Sequence, residues 1–212
     1  MTSGFPNLTV VEHPLVADGI TRLRDEQTDG PAFRQLTEEL AALLVYEASR
    51  DLPVVSSRVQ TPLASCPGVR LGTSPVIVPI LRAGLGMVPA VIRLFPQVTV
   101  GHLGMYRDEE TLQPVPYYAK LPESLKGRPV FLLDPMLATG GTALRALENL
   151  LERGAEDVRF LCLVAAPEGV RRLEERFPQV PVWTMALDDG LNERAYIVPG
   201  LGDAGDRMFG TG

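Results

Sequence analysis

The sequence predicts an α/β fold in which a mainly parallel sheet is flanked by helices. From residue 75 onward, short apolar runs alternate with stretches of helix-forming composition, and this alternation is typical of parallel strands with helices on both faces. The run VFLL at 130–133 is apolar throughout, as expected for a strand that is buried on both sides. A length of 212 residues suits one domain over 1–212, with enough chain for a sizeable core.

The N-terminal part of the chain has the pattern of a helix. Gly30 and Pro31 suit a helix start, because proline fits the first helical position. The proline of Asp51-Leu52-Pro53 favours an end there. Between these limits the apolar residues follow helical spacing: Phe33, Leu36, Leu40, Leu43 and Leu44.

The alternating part of the chain predicts the remaining elements. Strands are expected at 75–81, 98–103, 129–134, 158–165 and 181–186. Helices are expected at 84–94, 142–153 and 168–177. Residues 104–122 interrupt the alternation with charged and proline-rich sequence, which predicts a flexible arm or hairpin.

The segment 130–145, VFLLDPMLATGGTALR, carries the clearest functional pattern. Asp134 stands where the buried strand should end, and a turn of small residues at 138–142 leads into a stretch of good helix formers. The first N–H groups of a helix have no helical partners, so a strand, a small-residue turn and a helix start make an anion site. Glycines let the backbone approach a phosphate, threonine hydroxyls add hydrogen bonds, and an acid suits sugar hydroxyls. The pattern therefore predicts a ribose that carries a 5′-phosphate.

Three other interpretations of the glycine-rich segments are possible. The first is an ordinary strand–turn–helix connection that binds no ligand, since such turns are common in α/β folds. The P-loop motif requires a lysine that this segment lacks. The dinucleotide string G-x-G-x-x-G occurs at 200–205, but seven residues follow it, which is too few for the helix and the acid that the motif needs.

The sequence LDPMLATGGTA at 133–143 resembles the PRPP-binding loop of phosphoribosyltransferases. It is most similar to the uracil phosphoribosyltransferase version, in which a proline, here Pro135, follows a single acid. Three further stretches resemble the same family in the same order: VPILRAGLGM at 78–87, MYRDEETLQP at 105–114 and YIVPGLGDAGDR at 196–207. The resemblance implies the type I phosphoribosyltransferase fold.

The resemblance also implies roles for individual residues. PRPP contacts are expected from Arg82, Arg107, Asp134, Pro135, Met136, Leu137, Ala138, Thr139, Gly140, Gly141, Thr142 and Asp203. Uracil contacts are expected from Ile197, Gly202, Asp203 and Ala204. Arg82, Arg107 and Asp203 are the expected catalytic residues. Arg107 would close over PRPP, whereas the neighbouring Asp108, Glu109 and Glu110 are expected to be solvated or paired with neighbours.

The implied reaction is uracil + PRPP → UMP + diphosphate, with Mg²⁺ carried by PRPP and no protein metal site. Relatives in this family are oligomeric and some respond to GTP, so the resemblance implies a homodimer or higher oligomer and a GTP effector. Two alternatives stay open at this point. One is a regulatory protein that senses PRPP or UMP and binds RNA, and the other is a phosphoribosyltransferase for another nucleobase.

Composition excludes several classes of protein. The net charge is −6, without a basic run, which argues against a nucleic-acid surface. Cys66 and Cys162 are too few for a disulfide framework, and with His13 and His102 they do not make a typical zinc pattern. The sequence contains neither a signal-peptide pattern nor an apolar run of 18 residues, so we expect a cytoplasmic protein without a membrane span.

Overall fold

A computed structural model of the chain describes residues 4–107 and 114–211. Its strands are β1 (Leu8–Val10), β2 (Val54–Gln60), β3 (Ser65–Leu71), β4 (Val76–Leu81), β5 (Thr99–Val100), β6 (His102–Arg107), β7 (Pro114–Lys120), β8 (Pro129–Leu133), β9 (Met136–Leu137), β10 (Asp157–Ala165), β11 (Val182–Leu187), β12 (Gly190–Leu191) and β13 (Ile197–Val198). Its α-helices are α1 (Pro14–Arg24), α2 (Gly30–Ala48), α3 (Val88–Leu94), α4 (Gly141–Glu152), α5 (Pro167–Arg176) and α6 (Ala204–Phe209), and a 3₁₀ helix spans Ala83–Met87.

The main sheet has the strand order β1-β11-β10-β8-β4-β6-β7, with β5 beside β4 and β9 beside β10. These neighbours run parallel, with β6 and β7 as the antiparallel pair. In the centre, Leu132 of β8 lies in register with Val78 of β4 and with Phe160 of β10. The predicted α/β fold with a mainly parallel sheet is therefore confirmed.

Two hydrophobic clusters cover the two faces of this sheet. Alternate residues of β8 face opposite sides, so Phe131 packs with α1, α2 and α3 while Leu132 packs with α4 and α5. The residues of β8 are all buried, which explains why its sequence is apolar throughout rather than alternating. The carboxyl ends of the parallel strands meet along one edge of the sheet.

The predicted helix starts have clear local causes. In α2 the Asp29 side chain accepts a hydrogen bond from the Ala32 N–H at 2.9 Å, and Pro31 occupies the first turn. The helix ends at Ala48, three residues before the predicted Asp51-Leu52-Pro53 stop. Within the described ranges, the helices include none that is long and apolar enough to cross a membrane.

Several elements differ from the prediction. The segment 84–94 begins as a 3₁₀ helix before α3, and the region at 98–103 forms parts of two strands, β5 and β6. The predicted arm at 104–122 is a hairpin of β6 and β7. Asp108, Glu109 and Glu110 lie outside the described residues. The β2–β3 hairpin, β1, and the small elements β12, β13 and α6 were not predicted.

Candidate active site

Residues 134–142, which we call the phosphate loop, connect β8 to the first turn of α4 and lie at the carboxyl edge of the sheet. Gly140 precedes the helix with φ +76°, a left-handed conformation that favours glycine. The Leu144 N–H donates to Gly140 O at 2.9 Å as the first hydrogen bond of α4. The first N–H groups of α4 have no partners within the helix, and the Gly141 N–H donates to Thr139 Oγ1 at 3.5 Å. A helix start of this kind can bind an anion.

Helix α5 supports the phosphate loop from behind. Arg172 donates from Nη1 to the carbonyl oxygen of Thr139 at 3.3 Å. Gly169 lies so close to the loop that a Cβ there would be 2.4 Å from the carbonyl oxygen of Ala138. A Cβ on Gly140 would in turn be 3.1 Å from the carbonyl oxygen of Gly169. The two segments are thus packed backbone against backbone, which only glycine allows at this distance.

A second segment, residues 194–205, faces the phosphate loop, and we call it the base segment. It contains β13, which pairs with β12 in a short antiparallel hairpin, and it ends in the first turn of α6. Asp203 caps α6, because its Oδ1 accepts a hydrogen bond from the Asp206 N–H at 2.9 Å. Glu168 ties the hairpin to α5 by accepting from the Leu191 N–H at 3.2 Å.

The phosphate loop and the base segment together line a cavity of about 500 Å³. Ala83, the first residue of the 3₁₀ helix, also lines it. Loop-side residues are Asp134, Met136, Leu137, Ala138, Thr139, Gly140, Thr142 and Ala143, and base-side residues are Arg194, Ala195, Tyr196, Ile197, Gly202, Asp203, Ala204 and Gly205. The cavity has the size of a small-molecule site. It brings together most residues that were assigned to PRPP from the sequence and all four that were assigned to uracil.

The remaining predicted residues lie beside this cavity. Pro135 is a buried residue within the phosphate loop, and Gly141 is the first residue of α4. Arg82 directly precedes the lining residue Ala83, and its guanidinium donates to Asp206 Oδ1 at 3.1 Å. Arg107 ends β6, but its side chain lies outside the described residues. No observation tests the roles assigned to these residues, which stay predictions.

Burial and hydrogen bonding shift the pKa values of three side chains. Burial raises the pKa of Asp134 from its ordinary 3.8 to about 7, although the Met136 N–H donates to its Oδ1 at 3.2 Å and opposes the shift. At α6, hydrogen bonds from Thr211 and then from Arg82 lower the pKa of Asp206. Cys162, a buried free thiol, has its pKa raised to about 12 by burial, so it does not supply a thiolate nucleophile near neutral pH.

Several lining residues were not predicted from the sequence. Ala83 and Ala143 flank predicted residues, and Gly205 follows the predicted uracil contacts, so adjacency was the available signal. Arg194, Ala195 and Tyr196 enter the cavity because the β12–β13 hairpin folds over it. A hairpin of two-residue strands leaves no periodic pattern in the sequence, so local spacing gave no sign of them.

Two solved phosphoribosyltransferases share the fold of this chain. Adenine phosphoribosyltransferase from Leishmania donovani matches with a TM-score of 0.61 at 16% identity, over 92% of this chain and 89% of that one. Purine phosphoribosyltransferase from Pyrococcus horikoshii matches with a TM-score of 0.51 at 16% identity, over 73% of this chain and 85% of that one. Identities this low establish the fold alone, which is the type I phosphoribosyltransferase fold.

The chain belongs to the uracil phosphoribosyltransferase family, whose model matches residues 10–211. The uracil phosphoribosyltransferase of Streptococcus uberis is 55% identical over 203 residues, which are 95% of this chain and 97% of that protein. A relative from Streptococcus pyogenes is 54% identical over the same shares. The structure of the AQ2163 protein from Aquifex aeolicus is 40% identical and matches with a TM-score of 0.92, over 96% of this chain and 98% of that one.

Proposed function

We propose that the chain transfers the phosphoribosyl group of PRPP to uracil and releases UMP and diphosphate. The observation that carries this proposal is the cavity of about 500 Å³ shared by the phosphate loop and the base segment. A single ligand can contact a helix start with its phosphate and the base segment with its base. The names of the similar proteins support uracil as that base.

The proposed chemistry is a displacement at C1′ of the ribose. The N1–C1′ bond forms, the bond from C1′ to the diphosphate oxygen breaks, and the electron pair leaves with diphosphate. Asp203 is the candidate acceptor of the N1 proton, because it lines the cavity between Gly202 and Ala204. The protein contributes chiefly by positioning the reactants and by stabilising charge that develops on the leaving group.

The phosphate loop has the groups that ribose 5-phosphate needs. The N–H groups of residues 141–143 and the hydroxyls of Thr139 and Thr142 would donate to the 5′-phosphate. The Asp134 carboxylate, at the carboxyl end of β8, would accept hydrogen bonds from ribose hydroxyls. Because these groups lie on adjacent parts of one turn, a single short segment can hold both ends of the ribose phosphate.

We propose that Arg82 and Arg107 contact the diphosphate, since guanidinium groups offer planar, permanently charged donors. Mg²⁺ would enter as part of the PRPP substrate, with diphosphate oxygens and waters as its ligands. Among the described residues there is no cluster of three or more His, Cys, Asp and Glu side chains that could hold a metal ion.

Replacing Arg82 by alanine should lower kcat/KM for PRPP by about 10²-fold, because charge-assisted hydrogen bonds are worth about 1.5–3 kcal/mol each. Arg82→Lys should recover only part of the loss, since lysine keeps the charge but lacks the planar set of paired N–H donors that a guanidinium offers. Steady-state kinetics of the three proteins measure this. Asp206→Asn is the control, because it weakens the Arg82–Asp206 ion pair (3.1 Å) and keeps the guanidinium. An equal loss in that variant would show that Arg82 acts only by holding α6.

Replacing Gly169 by alanine should weaken PRPP binding by about 10-fold and lower stability by about 1–3 kcal/mol, as overpacking does. The added Cβ would stand 2.4 Å from the carbonyl oxygen of Ala138, so α5 and the phosphate loop must separate. Calorimetric titration with PRPP and thermal unfolding report the two effects. Gly68→Ala is the matched control, because its Cβ would meet the Ser57 hydroxyl at an ordinary 3.4 Å. Unchanged PRPP affinity in a folded Gly169→Ala protein would contradict the support role of α5.

We also propose a homo-oligomer. The β2–β3 hairpin pairs with no other strand in the described chain, and an isolated two-stranded hairpin is only marginally stable in water. It exposes several apolar side chains, including Leu63, which is 96% exposed.

A single domain is supported by the two core clusters on either face of one sheet. A GTP effector and a cytoplasmic location stay predictions from the sequence.

The test of the proposed function is diphosphate release from PRPP with each nucleobase supplied in turn. Rapid release with uracil, accompanied by UMP, is the expected result. Rapid release with a purine and none with uracil would replace the proposal by another phosphoribosyltransferase activity.

A further inference from the structure

A buried ion pair joins the end of α1 to the end of β11. Arg24 is the last residue of α1, and its guanidinium donates to Asp188 through Nη1–Oδ2 at 2.9 Å and Nη2–Oδ1 at 2.5 Å. Asp188 directly follows β11, and its side chain is 3% exposed, against 23% for Arg24. The two residues lie 164 positions apart in the sequence, so the fold alone brings them together.

The same two side chains hold the backbone of Gly200. The Gly200 N–H donates to Asp188 Oδ2 at 2.9 Å, and Arg24 Nη1 donates to Gly200 O at 2.8 Å. Gly200 has φ +64°, and a Cβ there would lie 2.1 Å from the carbonyl oxygen of Ile197. Both backbone polar atoms of this tight turn are therefore fixed by one ion pair.

Gly200 occupies a critical place in the base segment. It lies between Ile197 and the stretch 202–204, and both of these line the cavity while Gly200 is buried behind it. A base edge is read by donors and acceptors at fixed separations, and a misplaced partner leaves a buried polar group unpaired. Holding Gly200 sets the distance between the two parts that face the base.

We propose that Arg24 and Asp188 are positioning residues for base recognition, which act on the base through the backbone of Gly200. This inference rests on the proposed assignment of Ile197 and residues 202–204 to the base. Stability alone is a weak reason for such a pair, since buried ion pairs are often replaceable by apolar residues without loss. The directed contacts to both atoms of Gly200 are what an apolar pair would not reproduce.

A neighbouring arginine makes the same connection from α6. Arg207 donates from Nη1 to the carbonyl oxygens of Leu201 at 3.0 Å and Leu23 at 2.9 Å. The end of α1 thus holds two successive residues of the base segment, Gly200 and Leu201. These hydrogen bonds connect the N-terminal helix α1 directly to the base segment.

The test compares Asp188→Asn and Arg24→Lys with the wild-type protein in steady-state kinetics. Each variant weakens the pair of hydrogen bonds between the Arg24 guanidinium and the Asp188 carboxylate. KM for uracil should therefore rise by about 10-fold or more, as expected for a lost charge-assisted hydrogen bond. KM for PRPP should change by less than about 2-fold, because the phosphate loop is untouched. The ratio of kcat/KM for uracil over cytosine should fall by about 10-fold, since a shifted backbone discriminates less.

Asp51→Asn is the control. It weakens the Arg159–Asp51 ion pair (2.5 Å), in which the Arg159 side chain is 8% exposed and the Asp51 side chain 76%, near the opposite end of β10 from the site. If the site variants lose stability as this control does, but keep the uracil KM and the base ratio, the pair is merely structural and the inference is wrong. Should Asp188→Asn fail to fold, the same readouts on Arg24→Lys decide.

Failure of the proposed function has a different signature. If the wild-type protein uses another base, the uracil assignment is wrong, and the positioning test runs with the preferred base. A raised KM for that base and a reduced preference would still support positioning, and unchanged values would overturn it.

Discussion

Uracil should be converted with a kcat/KM about 10⁴-fold higher than that for cytosine, which is the scale reached by sites that hydrogen-bond their substrate. Uracil presents an O4 acceptor where cytosine presents an amine donor. The base segment offers backbone groups at Ile197 and residues 202–204, and backbone groups cannot exchange donor for acceptor without moving the chain. Cytosine would therefore leave buried polar groups unpaired. Initial rates of diphosphate release over a range of each base measure the ratio.

Asp203→Asn separates base choice from catalysis. The substitution keeps the size of the side chain and its capping oxygen but removes the charge that would accept the N1 proton. It should lower kcat and leave the uracil-to-cytosine ratio within about 3-fold, because the backbone groups stay in place. Comparable efficiency with both bases in the wild-type protein would contradict the backbone recognition. Full activity in Asp203→Asn would exclude Asp203 as a catalytic group while leaving the base assignment intact.

The strands and helices that could be predicted are those with one face or both faces buried, because burial leaves a recognisable pattern of apolar residues in the sequence. The run at 130–133 is apolar because both of its faces are covered, and α2 begins where Asp29 and Pro31 favour a helix start. The β2–β3 hairpin could not be predicted, because most of its residues are exposed on both faces. Without a buried face, a strand has no alternation of apolar and polar residues to detect.

The same distinction applies to the site. Asp134 and the small residues after it form a contiguous pattern whose chemistry is local, so the phosphate loop was predictable. The Arg24–Asp188 pair depends on residues 164 positions apart, and Arg194 reaches the cavity only through a short hairpin. Such contacts are products of the tertiary fold, and nothing in the local spacing indicates them.

Asp134→Asn should lower kcat/KM for PRPP by about 10²–10³-fold and yet raise stability above neutral pH. The lost activity follows from replacing a charged acceptor of ribose hydroxyls by a neutral amide, at about 1.5–3 kcal/mol for each charged hydrogen bond. The stability gain follows from the raised pKa of Asp134, about 7 in the folded chain against an ordinary 3.8. The folded protein favours the protonated acid, and asparagine resembles that form at every pH.

The sign of the pH dependence follows from the same shift. A carboxyl with a raised folded pKa contributes its full stability below pH 3.8 and loses it as pH rises to about 7. The unfolding free energy of Asp134→Asn minus that of the wild type should therefore increase by about 1–2 kcal/mol from pH 5 to pH 8, less than the full shift allows because the cavity admits water. Denaturant titrations at these two pH values measure it.

The activity of the free enzyme should follow the same ionisation. In the wild type, kcat/KM for PRPP should rise with pH through about 7, as the Asp134 carboxyl ionises and becomes a charged acceptor. The phosphate of PRPP also titrates, near pH 6, so Asp134→Asn is the reference: its profile should keep the substrate step and lose the step near 7. Two results together would contradict the raised pKa of Asp134. The pH profiles of kcat/KM would have the same shape in the wild type and in Asp134→Asn, and the difference in unfolding free energy between the two proteins would not grow with pH. The Asp134 carboxyl would then be already ionised and exposed to water. Loss of activity without a change in profile would leave Asp134 as a ribose ligand whose charge is constant over the working range.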